Sequence, residues 1–185
     1  MQDLSLHVLD IVENSITAGA KNIKIIINEN TGKDKLTLKI QDNGMGMDTK
    51  TMTKALDPFF STKKTRRIGL GLSMLSQAAK EANGDFLITS KKGKGTTITA
   101  TFMRSHIDRK PIGDMAETLI TLVATQGLNV DFLYEHRKNN HGFVFDTKMI
   151  KEELKDIPLN NSEVINHLRK NLKEEFKKLD ERSNR

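Results

Sequence analysis

At 185 residues, with no Cys and a formal charge of +6, the chain can bury roughly two-thirds of its unfolded surface without a disulfide or metal staple. It offers no thiolate nucleophile and no cysteine metal site. No run approaches the roughly 20 apolar residues that span a bilayer and no basic leader precedes the first apolar stretch, so a cytoplasmic protein with no membrane segment is expected.

The charge is unevenly spread. Residues 1–103 hold 15 Lys or Arg against 10 Asp or Glu, and residues 104–185 hold 15 against 14. The excess includes the run KKTRR from Lys63 to Arg67, which suits the phosphates of a nucleotide or of a nucleic-acid backbone, and which a solvated loop explains as well. No Trp and a single Tyr leave little material for stacking single-stranded bases.

In chain order, Leu4 to Ala18 reads as a helix, with Val8, Leu9, Val12 and Ile16 at helical spacing and Asp10 and Asn14 at i and i+4 on the other side. Gly19 is its stop. Asn22 to Asn28 and Lys35 to Gln41 read as strands joined by the polar turn NENTGKD. A short helix around Thr49 to Leu56 ends at the break made by Pro58. A helix from about Leu72 to Glu81 follows a Gly-rich approach, and Phe86 to Ser90 and Thr96 to Phe102 are strands joined by a Lys/Gly turn. The order α-β-β-α-α-β-β describes a mixed sheet with helices on one face, since a Rossmann repeat would alternate strand and helix strictly. Around MRSHIDRKP the character changes, which sets a boundary between residues 1–103 and a C-terminal segment 104–185. There Met115 to Ala124 reads as a helix, Val130 to Tyr134 and Phe143 to Phe145 as a hairpin pair around RKNNHG, and Asn161 to Leu179 as a charged amphipathic helix. That segment is read as a small α+β module, with direct packing on the first layer as the other arrangement.

Four stretches carry chemistry. Asp10, Glu13 and Asn14 share the first helix; QDNGMGM spans residues 41–47; DPFFSTK at 57–63 leads to RRIGLGLSM at 66–74; KKGKGTTITATF spans 91–102. Asp42, at a strand end, can accept a hydrogen bond from an exocyclic amine, and Gly44 and Gly46 would let the backbone approach a flat ring. An ordinary Asn-Gly turn is the plainer reading of that piece alone. Asn14 offers an oxygen to a cation. Gly69 and Gly71 stand before a helix whose N-terminus suits a phosphate. The Lys-Ser/Thr ending of a Walker A loop is absent.

In this order the stretches resemble the N-box, the first glycine box, the F-box with the second glycine box, and the final Gly-Thr strand of the GHKL superfamily, which includes gyrase, Hsp90, histidine kinases and MutL. VENSITAGAKNIKIII is closest to the MutL N-box, whereas DPFFSTK and GLGLSM are closer to histidine kinases. The resemblance covers residues 1–103. It implies a Bergerat-type α/β two-layer sandwich that binds ATP and Mg²⁺. It assigns Asn14 to the Mg²⁺ ion and Asp42 with Gly44 and Gly46 to adenine. Lys63, Arg67, Gly69, Leu70, Gly71 and Leu72 go to the phosphates, and Thr96 to support of Asp42 through a water. Asp10 takes the place of a Glu that orients the attacking water, with a side chain one methylene shorter that could leave it about 1 Å short. The lid from Lys63 to Ile68 is far shorter than in MutL or gyrase, which argues against a clamp-type machine. The activity implied is slow ATP hydrolysis or phosphoryl transfer coupled to a protein partner. The alternatives are a nucleotide-regulated binding switch without turnover and a MutL-like repair ATPase with nucleic acid as partner. HIDRKP, from His106 to Pro111, imitates the phosphoacceptor box of histidine kinases but lacks its acidic neighbour and follows the ATP motifs, so it is read as a hinge. The remaining His residues show no metal-binding spacing.

Overall fold

The computed structural model describes residues 2–55 and 70–183. The elements are α1 (Leu4–Thr17), β1 (Asn22–Asn30), β2 (Lys35–Asp42), α2 (Thr49–Lys54), α3 (Leu70–Glu81), β3 (Phe86–Lys91), β4 (Gly95–Met103), α4 (Met115–Gln126), β5 (Asp131–Lys138), β6 (His141–Asp146), α5 (Thr147–Leu154) and α6 (Ser162–Ser183). Asp3 starts α1 by accepting from the Leu6 amide at 3.0 Å, which satisfies one of the donors that a helix start leaves open. Gly19, at φ +78°, ends it, as its position in the sequence suggests. Helix α3 begins at Leu70, two residues before the periodicity indicates. The break at Pro58, the F-box and the lid to Ile68 lie outside the described residues.

One six-stranded sheet runs in the order β3-β4-β2-β1-β5-β6. All its pairings are antiparallel except β1 with β5, which run parallel with Asn22 beside Asp131. The alternation of each strand decides its faces: Ile23, Ile25 and Ile27 of β1 and Leu36, Leu38 and Ile40 of β2 all point inward and are buried. Against them pack Val8, Ile11 and Val12 of α1, Leu75 and Ala79 of α3, and Leu119 and Val123 of α4, in one continuous core. The opposite face carries Lys24, Lys39, Thr97, Thr99 and Glu135, all only half-buried, with Lys24 and Glu135 paired at 2.5 Å. This is the two-layer α/β sandwich with helices on one face.

Residues 104–185 place β5 and β6 in this same sheet, and α6 lays Leu168 and Leu172 into the shared core. The hairpin there is tighter than the sequence pattern indicates. Lys138 pairs with His141 across two residues, and Asn139 takes φ +55°, the backbone state that two-residue hairpin turns need and Asn tolerates. A buried polar chain fastens β5 to β1 at the end of the sheet away from Asp42. The Tyr134 hydroxyl lies 2.9 Å from Nδ1 of His136, and His136 Nε2 lies 3.1 Å from Glu29. Burial would raise the Glu29 carboxyl, but the His136 hydrogen bond and the charges of His136, Lys138 and Arg104 outweigh it and hold Glu29 below its usual range. Being ionised, Glu29 can only accept, so Nε2 of His136 carries a proton and donates to it.

His7 is the less comfortable buried group. It is 1% exposed, its Nδ1 has no hydrogen-bond partner among the described residues, and burial above all holds its pKa down at about 4. The unfolded chain takes up that proton near the ordinary value of 6.5. Stability tied to neutral His7 is therefore whole above about pH 6.5 and is lost as the pH falls towards 4. Urea denaturation at pH 7 and pH 5 should show the midpoint falling with acid, and His7→Leu should flatten that part of the slope.

Candidate functional site

Asp42 closes the inward row of β2 that begins with Leu36, so the alternation that buries apolar side chains also carries a carboxylate into the interior, where it is only 9% exposed. A buried carboxylate is costly unless hydrogen-bonded. Oδ1 accepts from the Gly44 amide at 2.8 Å and the Thr96 amide at 3.3 Å, and Oδ2 accepts from the Ser15 hydroxyl at 2.9 Å. Among the described residues these three donors leave part of the acceptor capacity of the two oxygens for a further donor. Asp42 lines a cleft of about 430 Å³ formed by Asn14 and Ser15 of α1, the 45–48 loop, Thr51 of α2, Leu72 of α3, Lys92, and Thr96 and Ile98 of β4. Met45, Met47, Leu72 and Ile98 make much of its wall apolar, with the acid at one side, which suits a flat heteroaromatic ring that carries an amine.

The loop after Asp42 is fastened from three sides. Asn43 Oδ1 accepts from the amides of Lys21 at 2.8 Å and Asn22 at 2.9 Å. The Met45 amide donates to the Ala18 carbonyl at 2.8 Å, and the Met45 carbonyl accepts from Gly93 at 2.7 Å. The Met47 amide donates to the Ser90 hydroxyl at 2.8 Å. Ser90 in turn lies 3.0 Å from the Gly95 carbonyl and 2.9 Å from the Thr96 hydroxyl. With one proton to give, Ser90 donates to Gly95 and accepts from Met47 and Thr96. The glycines serve this packing as well as any ligand. A Cβ at Gly44 would come within 2.9 Å of the Ala18 carbonyl, and Gly46, at φ +63°, would drive one into the Lys91 carbonyl.

Of the residues singled out in the sequence, Asn14, Asp42, Gly46, Leu72 and Thr96 line the cleft, and Gly44 sits beside Asp42. Thr96 reaches Asp42 directly through its backbone amide, while its hydroxyl turns to Ser90. Asp10 lies one turn before Asn14, between α1 and α3, with its carboxylate against the Cα of Gly71. Glu13 is exposed. Lys63, Arg67 and Gly69 lie outside the described residues, as does the side chain of Leu70. Ser15, Asn43 and Ser90 are parts of the site that sequence reasoning missed. For Ser15 a signal was present: it is a hydroxyl residue on the apolar stripe of α1 four residues after Ile11, and it is buried. Among the described residues no group of three or more acidic or His side chains converges to hold a metal. Asn14, in the cleft wall, offers an amide oxygen of the kind a hard cation takes alongside phosphate oxygens and water.

Residues 2–106 match the family model described as histidine kinase-, DNA gyrase B-, and HSP90-like ATPase. The chain belongs to this ATPase family. Relatives of this ATPase domain include a putative sensor protein of Shewanella frigidimarina, 35% identical over 109 residues, which are 58% of this chain and 17% of the relative. The sensor histidine kinase WalK of Bacillus subtilis is 32% identical over 54% of this chain and 18% of its own length. The sensor protein kinase FleS of Pseudomonas aeruginosa is 37% identical over 50% of this chain and 23% of its own. The match thus spans less than a quarter of each of these relatives. A crystal structure of the N-terminal domain of a DNA repair protein shares the fold, with a TM-score of 0.51 and 16% identity over 78% of this chain and 52% of that one. No helix among the described residues of this ATPase-family chain is long and apolar enough to cross a membrane.

Ser15→Ala should leave Oδ2 of Asp42 without its donor inside the cleft wall. The expected loss is about 1–3 kcal/mol of folding stability, read as a lower urea midpoint at unchanged slope, whereas Thr17→Ala, on the exposed side of the same helix, should cost less.

Proposed function

We propose that the chain binds Mg-ATP in this cleft and uses it for slow hydrolysis or phosphoryl transfer that regulates a protein partner in the cytoplasm. The observation that carries the reading is Asp42: a buried carboxylate already held by three protein donors, with acceptor capacity left over and an apolar cleft in front of it. The exocyclic amine of adenine is the donor it would take, and the carbonyl that guanine carries at the same ring position would face it as a second acceptor. Met45, Met47 and Ile98 would enclose the ring, and Asn14 and the start of α3 would face the phosphates. The lid residues Lys63 and Arg67, with Gly69 and Leu70, are proposed to close on the same phosphates.

Mg²⁺ held by Asn14 and the phosphates would neutralise phosphate-oxygen charge. Asp10, one turn away, would orient the attacking nucleophile and take its proton. The kinship with sensor kinases supports phosphoryl transfer over a DNA-repair role, because the likeness to the repair protein extends to the fold alone.

Asp42→Asn replaces one acceptor by a donor where an amine must be met. Affinity for a non-hydrolysable ATP analogue, measured by calorimetry, should fall by about 1.5–3 kcal/mol; unchanged affinity in a folded variant would remove Asp42 from the base site. Asn14→Ala should weaken Mg-ATP much more than metal-free adenosine, since it deletes a cation ligand and spares the base pocket. Equal losses for the two ligands would instead mean that the helix has been damaged.

A further inference from the structure

Three glycines of the site are filled against by quite different atoms. A Cβ added at Gly46 would strike the Lys91 carbonyl, and one at Gly95 the Asp42 carbonyl. Both are fixed main chain, so these glycines belong to the fold. At Gly71 the three nearest atoms to such a Cβ are all from one side chain: it would overlap Oδ2 of Asp10, come within 2.8 Å of Cγ and lie 3.5 Å from Asp10 Cβ. Among the described residues, the space left open by the missing side chain is taken by the Asp10 carboxylate. Gly71 is buried in the first turn of α3, where a glycine forgoes the helix propensity that alanine would supply.

We infer that residue 71 is glycine to seat the Asp10 carboxylate, which makes Gly71 a positioning residue for that acid; the inference rests on the reading of the cleft as an ATP site. Asp10 is anchored on α1 and its outer atoms are stopped by the main chain of α3, so the carboxylate is held from both sides, one helical turn from Asn14. Its short side chain and the bare Cα opposite are matched to each other. A longer acid at position 10 would find the Gly71 backbone in its path.

In the hydrolytic step, water attacks the γ-phosphorus and gives its proton to the Asp10 carboxylate. The bond from that phosphorus to the β-γ bridging oxygen breaks with its electron pair going to ADP, inorganic phosphate leaves, and the proton passes on to solvent. A base displaced by about 1 Å in such a step costs on the order of a hundredfold in rate. A methyl group at position 71 would cause a displacement of that kind. The atom it meets is the movable end of a side chain, so the fold survives and the carboxylate yields.

The test is a pair of double-mutant cycles on the full chain, reading phosphate release with Mg-ATP, affinity for a non-hydrolysable ATP analogue, and melting temperature. Gly71→Ala should lower kcat about as far as Asp10→Asn does, on the order of a hundredfold, and D10N/G71A should be no slower than D10N alone; analogue affinity reads separately the phosphate contact proposed for the start of α3. In the second cycle, G71A should raise the melting temperature in a D10A background, where the alanine gains helix propensity without an opposing carboxylate, and should raise it less or lower it in the Asp10 background. A purely structural glycine would shift the melting temperature equally in both backgrounds, which would overturn the inference. So would a D10N/G71A variant that turns over clearly more slowly than D10N alone, because position 71 would then act apart from the carboxylate. If D10N turns over at the wild-type rate, the catalytic role of Asp10 in the proposed function falls and the positioning role falls with it, while the melting cycle still decides whether Gly71 seats the carboxylate.

Discussion

The site depends on one carboxylate placed where an apolar side chain would ordinarily go. Asp42 continues the inward row of Leu36, Leu38 and Ile40, and its burial is tolerable because α1, the 42–47 loop and β4 each send it a donor. Those three donors come from segments far apart in the chain, so forming the carboxylate's environment and assembling the α1-β2-β4 corner are the same event. The backbone of the loop follows from this. Once Gly44 turns its amide back to Asp42, the chain must pass close to Ala18 on one side and the β3–β4 turn on the other. Small residues at 44 and 46 are then required by the protein alone, before any ligand enters.

Much of the first part of the fold is legible in the sequence because its signals are local. The alternating Ile and Leu of β1 and β2 fix which face is buried, and the polar turn between them fixes their antiparallel pairing. Asp42, Asn14 and Thr96 stand out because their chemistry is conspicuous against those patterns, and the cleft does gather them. Asn43 and Ser90 do not stand out, since a serine or asparagine is ordinary in any loop or strand end, and Ser15 does so only by its place on the apolar stripe of α1. Their importance lies in the partners they meet across space, Ser15 with Asp42 and Ser90 with Met47 and Thr96. The hairpin turn at Asn139 is blurred for a different reason. RKNNHG reads as one polar loop, yet Arg137 and Lys138 are strand residues paired with Gly142 and His141, and only their position in an edge hairpin lets charged side chains sit there.

The placement of β5 shows the same limit on a larger scale. Nothing in DFLYEH specifies its neighbour; the strand is compatible with a hairpin of its own or with the edge of another sheet. What selects β1 is the match of two buried rows, Ile23, Ile25 and Ile27 beside Phe132, Tyr134 and His136, together with Glu29, which gives His136 a hydrogen-bond partner across the strand boundary. Along that seam an apolar stripe ends in a polar pair that is satisfied only when the two strands are side by side in this register, since a slip of one residue would turn His136 away from Glu29.

The parallel pairing of β1 with β5 also has a temporal consequence. The β1–β2 hairpin closes across a short turn, whereas Asn22 must wait for Asp131, and closing so long an intervening chain costs more conformational entropy than closing a hairpin. During synthesis β1 therefore emerges, pairs with β2, and keeps its other edge bare until the ribosome has delivered β5, about a hundred residues later. Throughout that interval an apolar strand with open amides and carbonyls is available to any other extended segment. The nascent chain is thus most exposed to mispairing and to chaperone capture along β1, well away from the cleft, and a stall in translation before β5 would leave a product whose nucleotide corner could assemble while its central strand remained an edge.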